Sequence, residues 1–266
     1  MLNCEAQVIT NTPLTASVFS LTLRLPFAPD SQVTPGQFYM LKVSGNIGLD
    51  PLLRRPISVC AFDPLTQTLR FVIRRVGRGT TILEQLRPGD PLEVFGPLGH
   101  GFPYPEEPNT HALLIGGGVG IPPLLYLAQE LSNAGVQVTA LLGFRSEKEV
   151  FLLDEFSRWG TVEIATDDGS LGACGNVCDL LENHLTNSHW SIAYACGPLP
   201  MLQRLEVLLG QDQRPVYVSL EKRMACGIGA CTACTCKRQH PEPENRSSLV
   251  CTDGPVFRLG EVELDV

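Results

Sequence analysis

Hydrophobic and polar positions change rhythm twice along this chain. From Cys4 to about Phe102 the apolar residues come in short or alternating runs broken by turn residues. Residues 18–25 (Val-Phe-Ser-Leu-Thr-Leu-Arg-Leu) alternate with period two, which predicts a half-buried strand. Thr34-Pro35-Gly36-Gln37 turns the chain into a run at 38–43, and residues 69–76 form another strand pattern. A tight turn at Leu86-Arg87-Pro88-Gly89-Asp90-Pro91 precedes the apolar run 92–95. Short strands at this spacing predict an antiparallel barrel or sandwich.

Beyond Pro103-Tyr104-Pro105 and a polar linker at 106–109 the rhythm lengthens. Residues 111–115 read as a buried strand, 124–134 as a helix and 136–143 as the next strand, joined by Gly116-Gly117-Gly118-Val119-Gly120-Ile121-Pro122-Pro123. Strand, glycine-rich turn, helix and strand make a βαβ unit, whose turn is where a pyrophosphate can approach bare backbone. The turn reads Gly118-x-Gly120-x-x-Pro123, with proline where the ordinary dinucleotide fingerprint has its third glycine. Runs at 162–166, 192–195 and 216–220 extend the same parallel sheet. Asp167-Asp168-Gly169-Ser170-Leu171-Gly172 and Cys196-Gly197-Pro198 each lie beyond the carboxyl end of a strand, where ligands bind in such sheets. The plainer account of Cys196-Gly197-Pro198 is a strand-to-helix turn, with Pro198 opening a helix through Met201 to Leu209.

The last stretch follows neither rhythm and is organised by cysteine. Cys226, Cys231 and Cys234 stand at Cys-x4-Cys-x2-Cys, and Cys251 follows after sixteen intervening residues. That is the plant-type spacing for a [2Fe–2S] cluster, in which four thiolates hold two irons. The backbone must curl round such a cluster, and Gly227, Gly229, Ala225, Ala230 and Ala233 supply small residues and left-handed freedom. Zinc is the alternative metal, although it prefers paired Cys-x2-Cys motifs and only one pair is clean. A disulfide staple is the alternative without metal. Cys236 is read as a bystander, because the four-cysteine spacing is complete without it.

Composition narrows the setting. At 266 residues there is room for two packed domains and a small third, and 44% hydrophobic with 18% charged residues is ordinary for a globular protein. A net charge of -8 argues against a nucleic-acid surface, and no apolar run is long enough to cross a bilayer. Ten cysteines behind a start (Met1-Leu2-Asn3-Cys4-Glu5) without the marks of a secretion signal point to a reducing, cytoplasmic setting. Cys4, Cys60, Cys174, Cys178 and Cys196 are expected to be small buried hydrophobes.

Two further motifs lie in the first third. In Arg54-Arg55-Pro56-Ile57-Ser58, proline fixes the backbone beside a cation that can hold a diphosphate, with a hydroxyl two residues on. In Gly77-Arg78-Gly79-Thr80-Thr81, glycines open a helix whose first N–H groups suit a phosphate. Alone, each is as readily a surface turn or a plain helix start.

Their order is what resembles a family. Arg55-Pro56-Ile57-Ser58, then Gly79-Thr80, the Gly118/Gly120/Pro123 turn and Cys196-Gly197-Pro198 resemble the ferredoxin-NADP reductase superfamily, whose members bind FAD on a barrel and a nicotinamide nucleotide on the following sheet. The cysteine loop, with Cys251-Thr252-Asp253-Gly254-Pro255-Val256-Phe257, makes the chain similar to the electron-transfer subunits of NAD-linked (class 1B) dihydroorotate dehydrogenases. The resemblance implies an antiparallel β-barrel FAD domain at 1–103, an α/β parallel-sheet NAD-binding domain at 104–218 and a small [2Fe–2S] subdomain at 219–266. It implies FAD contacts at Arg55, Pro56, Ile57 and Ser58, at Val72, Ile73 and Arg74, and at Gly79 and Thr80. NAD(H) would meet Gly118, Gly120, Pro123, Cys196, Gly197 and Pro198, and Cys226, Cys231, Cys234 and Cys251 would hold the cluster. Arg145 is a candidate for a 2′-phosphate, so NAD over NADP comes from the family alone. No side chain is expected to act as a catalytic acid or base. The implied partner is an FMN-containing dihydroorotate dehydrogenase subunit, in a heterotetramer of two plus two, with electrons serving pyrimidine biosynthesis. The rivals are an equivalent FAD/[2Fe–2S] subunit of a bifurcating transhydrogenase or hydrogenase, and a zinc module on a flavoprotein-like scaffold.

Overall fold

The computed structural model describes residues 2–29, 32–43, 51–105, 110–185, 189–242 and 245–264, so the linker expected at 106–109 lies outside them. The first third contains β1 (Leu2–Pro13), β2 (Val18–Arg24), β3 (Phe38–Leu41), β4 (Arg55–Ser58), β5 (Ala61–Asp63), β6 (Thr68–Arg74), helix α1 (Arg78–Glu84) and β7 (Pro91–Leu98). The strands form one antiparallel sheet in the order β4-β3-β7-β1-β2-β6-β5, curled as a half-barrel round its own apolar core. Phe19, Leu21 and Leu23 of β2, Leu69, Phe71 and Ile73 of β6, and Tyr39 of β3 all point into that core. Burying each such side chain contributes about 1.5–3 kcal/mol before entropy is counted. Pro56 sits in β4 at the sheet's edge, where a missing N–H breaks no ladder.

The half-buried strand expected at residues 18–25 is buried on both faces over its first half, while Thr22 and Arg24 leave the second face increasingly open. Val18 and Ser20 are each 5% exposed, although they point away from the barrel core. The reason is tertiary: Val18 joins the core of the second sheet, and Ser20 accepts a hydrogen bond from Arg70 Nε at 2.9 Å.

The second sheet gathers β8 (His111–Gly117), β9 (Gln137–Phe144), β10 (Thr161–Thr166), β11 (Ala173–Cys174), β12 (Ile192–Cys196) and β13 (Val216–Ser219) in the order β11-β10-β9-β8-β12-β13, all parallel. Helices α2 (Ile121–Asn133) and α3 (Leu153–Phe156) pack on one face. Helices α4 (Val177–Leu185) and α5 (Leu199–Leu209) pack on the other. Helix α2 begins three residues before the expected 124, because Pro122 and Pro123 fall in its first turn, where no N–H partner is lost. Pro198 is the extended residue before α5 and not its first helical residue.

The C-terminal segment is woven into both halves. After the cysteine loop comes a hairpin of β14 (Thr235–Glu242) and β15 (Asn245–Leu249), then β16 (Val256–Arg258), which pairs antiparallel with β13 and completes the second sheet. Cys234, Val250, Cys251 and Phe257 share one apolar cluster with Leu205 of α5 and with Met40 and Leu98 of the barrel. Cys60, Cys178 and Cys196 are buried as expected, whereas Cys174 is exposed on the short edge strand and Cys4 is half-buried.

Candidate functional site

Three places come together along the seams of this fold. The first is the cysteine loop. Gly227 (φ 75°) and Gly229 (φ 79°) turn left-handed, as does Thr232 (φ 54°). These turns aim backbone N–H groups at sulfur: Ile228 and Cys231 donate to Cys226 Sγ at 3.5 and 3.4 Å, and Gly229 donates to Cys251 Sγ at 3.2 Å. Cys251 N–H in turn donates to Cys234 Sγ at 3.4 Å. The Ile228 N–H foremost, with that of Cys231, brings the Cys226 thiol down to about 7, whereas burial pushes Cys251 up to about 12. Cys226 and Cys231 form the solvent side of the loop, and Cys234 and Cys251 its buried floor.

This donor set fits an anionic, thiolate-held cluster: four sulfurs, two at the rim and two on the floor, with N–H groups already directed at three of them. No three His, Cys, Asp or Glu side chains among the described residues are gathered closely enough for a single metal ion. A two-iron cluster makes no such demand, because it divides its thiolates into two pairs. Cys236 stands apart, buried in the hairpin with its thiol donating to the Ser248 carbonyl at 3.5 Å.

The second place is the edge of the barrel. Arg55 lies against Gly79: a Cβ on that glycine would come within 2.5 Å of Arg55 Nε. Strand β4 and the start of α1 are thus joined although 24 positions separate the two residues (79 minus 55). Arg54 is engaged elsewhere, paired with Glu93, whose carboxyl Lys42 and Arg54 hold below the usual carboxylate range. Arg55 has no carboxylate partner among the described residues, and its NH1 donates to the Leu53 carbonyl at 2.5 Å. Pro56, Ile57 and Ser58 are half-buried beside it. Thr80 spends its hydroxyl locally, accepting from the N–H groups of Val76 and Gly77 and donating to the Gly77 carbonyl. Ile73 points into the barrel core, so only its backbone is open to a ligand, while Val72 points the other way, toward the second sheet.

The third place is a cavity of about 460 Å³ beyond the carboxyl ends of β8, β9 and β10. Gly118, Arg145, Asp167 and Pro198 line it, and Arg74 and Val18 close it from the barrel side. Gly120, Pro123 and Cys196 are buried behind its wall. The reason for a glycine at 120 is a close approach: a Cβ there would fall 2.3 Å from the Cys196 carbonyl oxygen and 2.5 Å from Gly197 N. The two expected nucleotide turns, at the ends of β8 and β12, are therefore packed backbone on backbone.

Sequence reasoning missed Phe144, Phe151, Cys178 and Arg204 on the cavity wall, and Val18 from the barrel. None stands in a motif. Only the position of Phe144 at a strand's carboxyl end carried a signal.

Known proteins bear on each place. The family described as the iron-sulfur cluster binding domain of dihydroorotate dehydrogenase B matches residues 221–263, and the oxidoreductase NAD-binding domain matches residues 114–206. The dihydroorotate dehydrogenase B (NAD(+)) electron transfer subunit of Listeria welshimeri is 44% identical over 266 residues, 99% of this chain and 100% of that protein. Its counterpart in Geobacillus kaustophilus is 47% identical over 231 residues, 86% of this chain and 87% of that one. Among solved structures, one reported for the NADH-dependent reduced ferredoxin-NADP oxidoreductase, on flavin-based electron bifurcation, superposes with a TM-score of 0.85 at 29% identity, covering 98% of this chain and 90% of that one. The ferredoxin reductase in carbazole 1,9a-dioxygenase, at 22% identity and a TM-score of 0.68, covers 82% of this chain and 68% of its own and shares the fold.

Proposed function

This chain belongs to the family of dihydroorotate dehydrogenase B electron-transfer subunits, and from that membership we propose how its three places work together. It is an oxidoreductase subunit that uses FAD, a [2Fe–2S] cluster and NAD(H), and it passes electrons between a catalytic partner subunit and NAD+ in pyrimidine biosynthesis. When bound, FAD exchanges a hydride with NAD(H) and single electrons with the cluster, which makes it the converter between the two.

The observation that carries this reading is the contiguity of the three places. Gly227 of the cysteine loop lies against Met40, so that a Cβ on that glycine would come within 3.0 Å of Met40 Cγ; Met40 pairs across the sheet with Pro56, and Arg55 beside it lies against Gly79. Arg74, at the end of β6, lines the cavity together with Gly118. Each residue has its work. Arg55, Pro56, Ile57 and Ser58, with the backbone of Val72, Ile73 and Arg74 and the start of α1 at Gly79 and Thr80, hold and orient FAD. Gly118 and Pro198 receive NAD(H), while Gly120, Pro123, Cys196 and Gly197 set the shape of that wall. Cys226, Cys231, Cys234 and Cys251 hold the cluster.

We divide the chain at 1–103, 104–218 and 219–266 by ligand, with β16 returning from the last part to the second sheet. The partner is the FMN-containing catalytic subunit, in an assembly of two plus two, and the complex works in the cytoplasm. No helix among the described residues is long and apolar enough to cross a membrane. The bifurcating reductase shares the architecture, but identities of 43–48% over most of the chain favour the dihydroorotate enzyme over a relative at 29%.

The isolated chain, loaded with its cofactors, should oxidise NADH with artificial acceptors and leave dihydroorotate untouched. Adding the FMN subunit should produce NAD+-linked dihydroorotate turnover. Dihydroorotate oxidation by the chain alone, or no gain on adding that subunit, would refute the reading. The FAD placement has its own test. Arg55→Ala removes a charge-assisted contact worth about 1.5–3 kcal/mol, so FAD should bind roughly 10- to 150-fold more weakly in fluorescence titration. Unchanged FAD affinity would move the diphosphate elsewhere.

A further inference from the structure

Among the described residues one ion pair joins β6 of the barrel to α3 of the second sheet, and a short segment links it to the wall of the nucleotide cavity. Arg70, Val72 and Arg74 share one face of β6 and lie opposite Thr22, Ser20 and Val18 of β2. The upper end of this face, Arg74 with Val18, closes the cavity. At the lower end, the Arg70 guanidinium grips both carboxylate oxygens of Glu155, NH2 at 3.0 Å, while its Nε donates to the Ser20 hydroxyl at 2.9 Å. All three nitrogens are engaged, an arrangement that a lysine ammonium cannot reproduce.

Glu155 belongs to α3, and four residues earlier Phe151 forms part of the cavity wall, edge-on to Phe144 at 5.5 Å between ring centroids. Between them, Leu152 holds a left-handed φ of 63°, which a non-glycine residue keeps only where its surroundings enforce it. Two things enforce it: the side chain is buried, and the Leu152 carbonyl accepts the N–H groups of Glu155 at 3.1 Å and Phe156 at 3.0 Å. The segment 151–156 is therefore a short, stiff link with the cavity wall at one end and the barrel at the other.

We propose that Arg70 and Glu155 are a positioning pair for the nicotinamide nucleotide. By tying the segment 151–156 to β6, they set the distance between the wall bearing Phe151 and the side bearing Val18 and Arg74. The bland account is a salt bridge that only adds stability. The side chains are 23% and 32% exposed, and in a part-buried pair the cost of desolvating both charges offsets much of their attraction, so the net gain in stability is small. What a bidentate fork supplies is direction. The proposal rests on the cavity being the NAD(H) site.

The test uses the complete two-subunit complex with FAD and cluster in place. Arg70→Lys and Glu155→Gln keep size while breaking the fork. NAD+ binding by titration calorimetry should weaken about 5- to 20-fold in each, with KM for NADH rising in step and kcat changing less than about 2-fold. Because the residues act as one unit, the double variant should be no worse than the poorer single one. FAD content, the EPR signal of the reduced cluster and the melting temperature should match the wild type. Unchanged NAD+ affinity in Glu155→Gln would overturn the proposal. So would a loss accompanied by falling FAD content or melting temperature, which would make the pair merely structural. A wild-type complex that binds no NAD+ would sink the reading of the cavity first, and the clamp with it.

Discussion

Serine at any one of positions 226, 231, 234 or 251 is expected to abolish the [2Fe–2S] centre, while Cys236→Ser leaves it intact. A cluster iron takes soft thiolate ligands, and a serine hydroxyl is harder and far less acidic. The loss should be most complete at Cys234 and Cys251, which are 2% and 1% exposed and leave no room for water to stand in as a ligand. It should be somewhat slower to appear at Cys226 and Cys231 on the solvent side. Cys236 is as buried as Cys234, so exposure does not separate the two. Direction does: the Cys236 thiol donates to Ser248 across the hairpin, whereas Cys234 accepts the Cys251 N–H within the loop. Iron and acid-labile sulfide analysis, with EPR of the reduced protein, reads the outcome. A full signal from Cys251→Ser, or none from Cys236→Ser, would show that the ligand set is misassigned.

Gly120→Val should reduce kcat/KM for NADH by about 100-fold or more with the flavin still bound. The new Cβ would lie 2.3 Å from a main-chain oxygen at Cys196 and 2.5 Å from a main-chain nitrogen at Gly197, so no side-chain rotation relieves the clash. The start of α2 must then move away from β12, carrying the Gly118 turn with it. A displacement near 1 Å at a positioned reactant can cost about 100-fold. Overpacking of this kind also destabilises by about 1–3 kcal/mol. The clash is with Cys196 and Gly197 and not with Arg55, Gly79 or the cysteine loop, so FAD and iron content should hold. Stopped-flow reduction of the bound flavin by NADH measures the effect, and a wild-type rate in Gly120→Val would show that this turn does not position the nucleotide. Gly79→Ala is a milder case, since there the clash is with the movable guanidinium of Arg55.

What the sequence determined by itself is whatever depends on near neighbours along the chain. A period-two run became β2, a second strand pattern became β6, and a glycine turn between two apolar runs became the join of β8 and α2. The Cys-x4-Cys-x2-Cys spacing became a loop whose left-handed residues aim N–H groups at sulfur. Each follows from local rules: side-chain alternation in a pleat, the φ range of glycine, and the reach of a few peptide units. Only the tertiary structure decided which faces meet. It buried the start of the second face of β2 against the parallel-sheet domain, placed Val18 and Phe151 on one cavity, and set Arg70 against Glu155. It also returned residues 256–258 to β13 as an antiparallel edge strand, so that the cluster-bearing segment shares a core with both halves. Those contacts join residues tens to hundreds of positions apart, and their partners are chosen by shape and charge once loops have closed, which no local periodicity encodes.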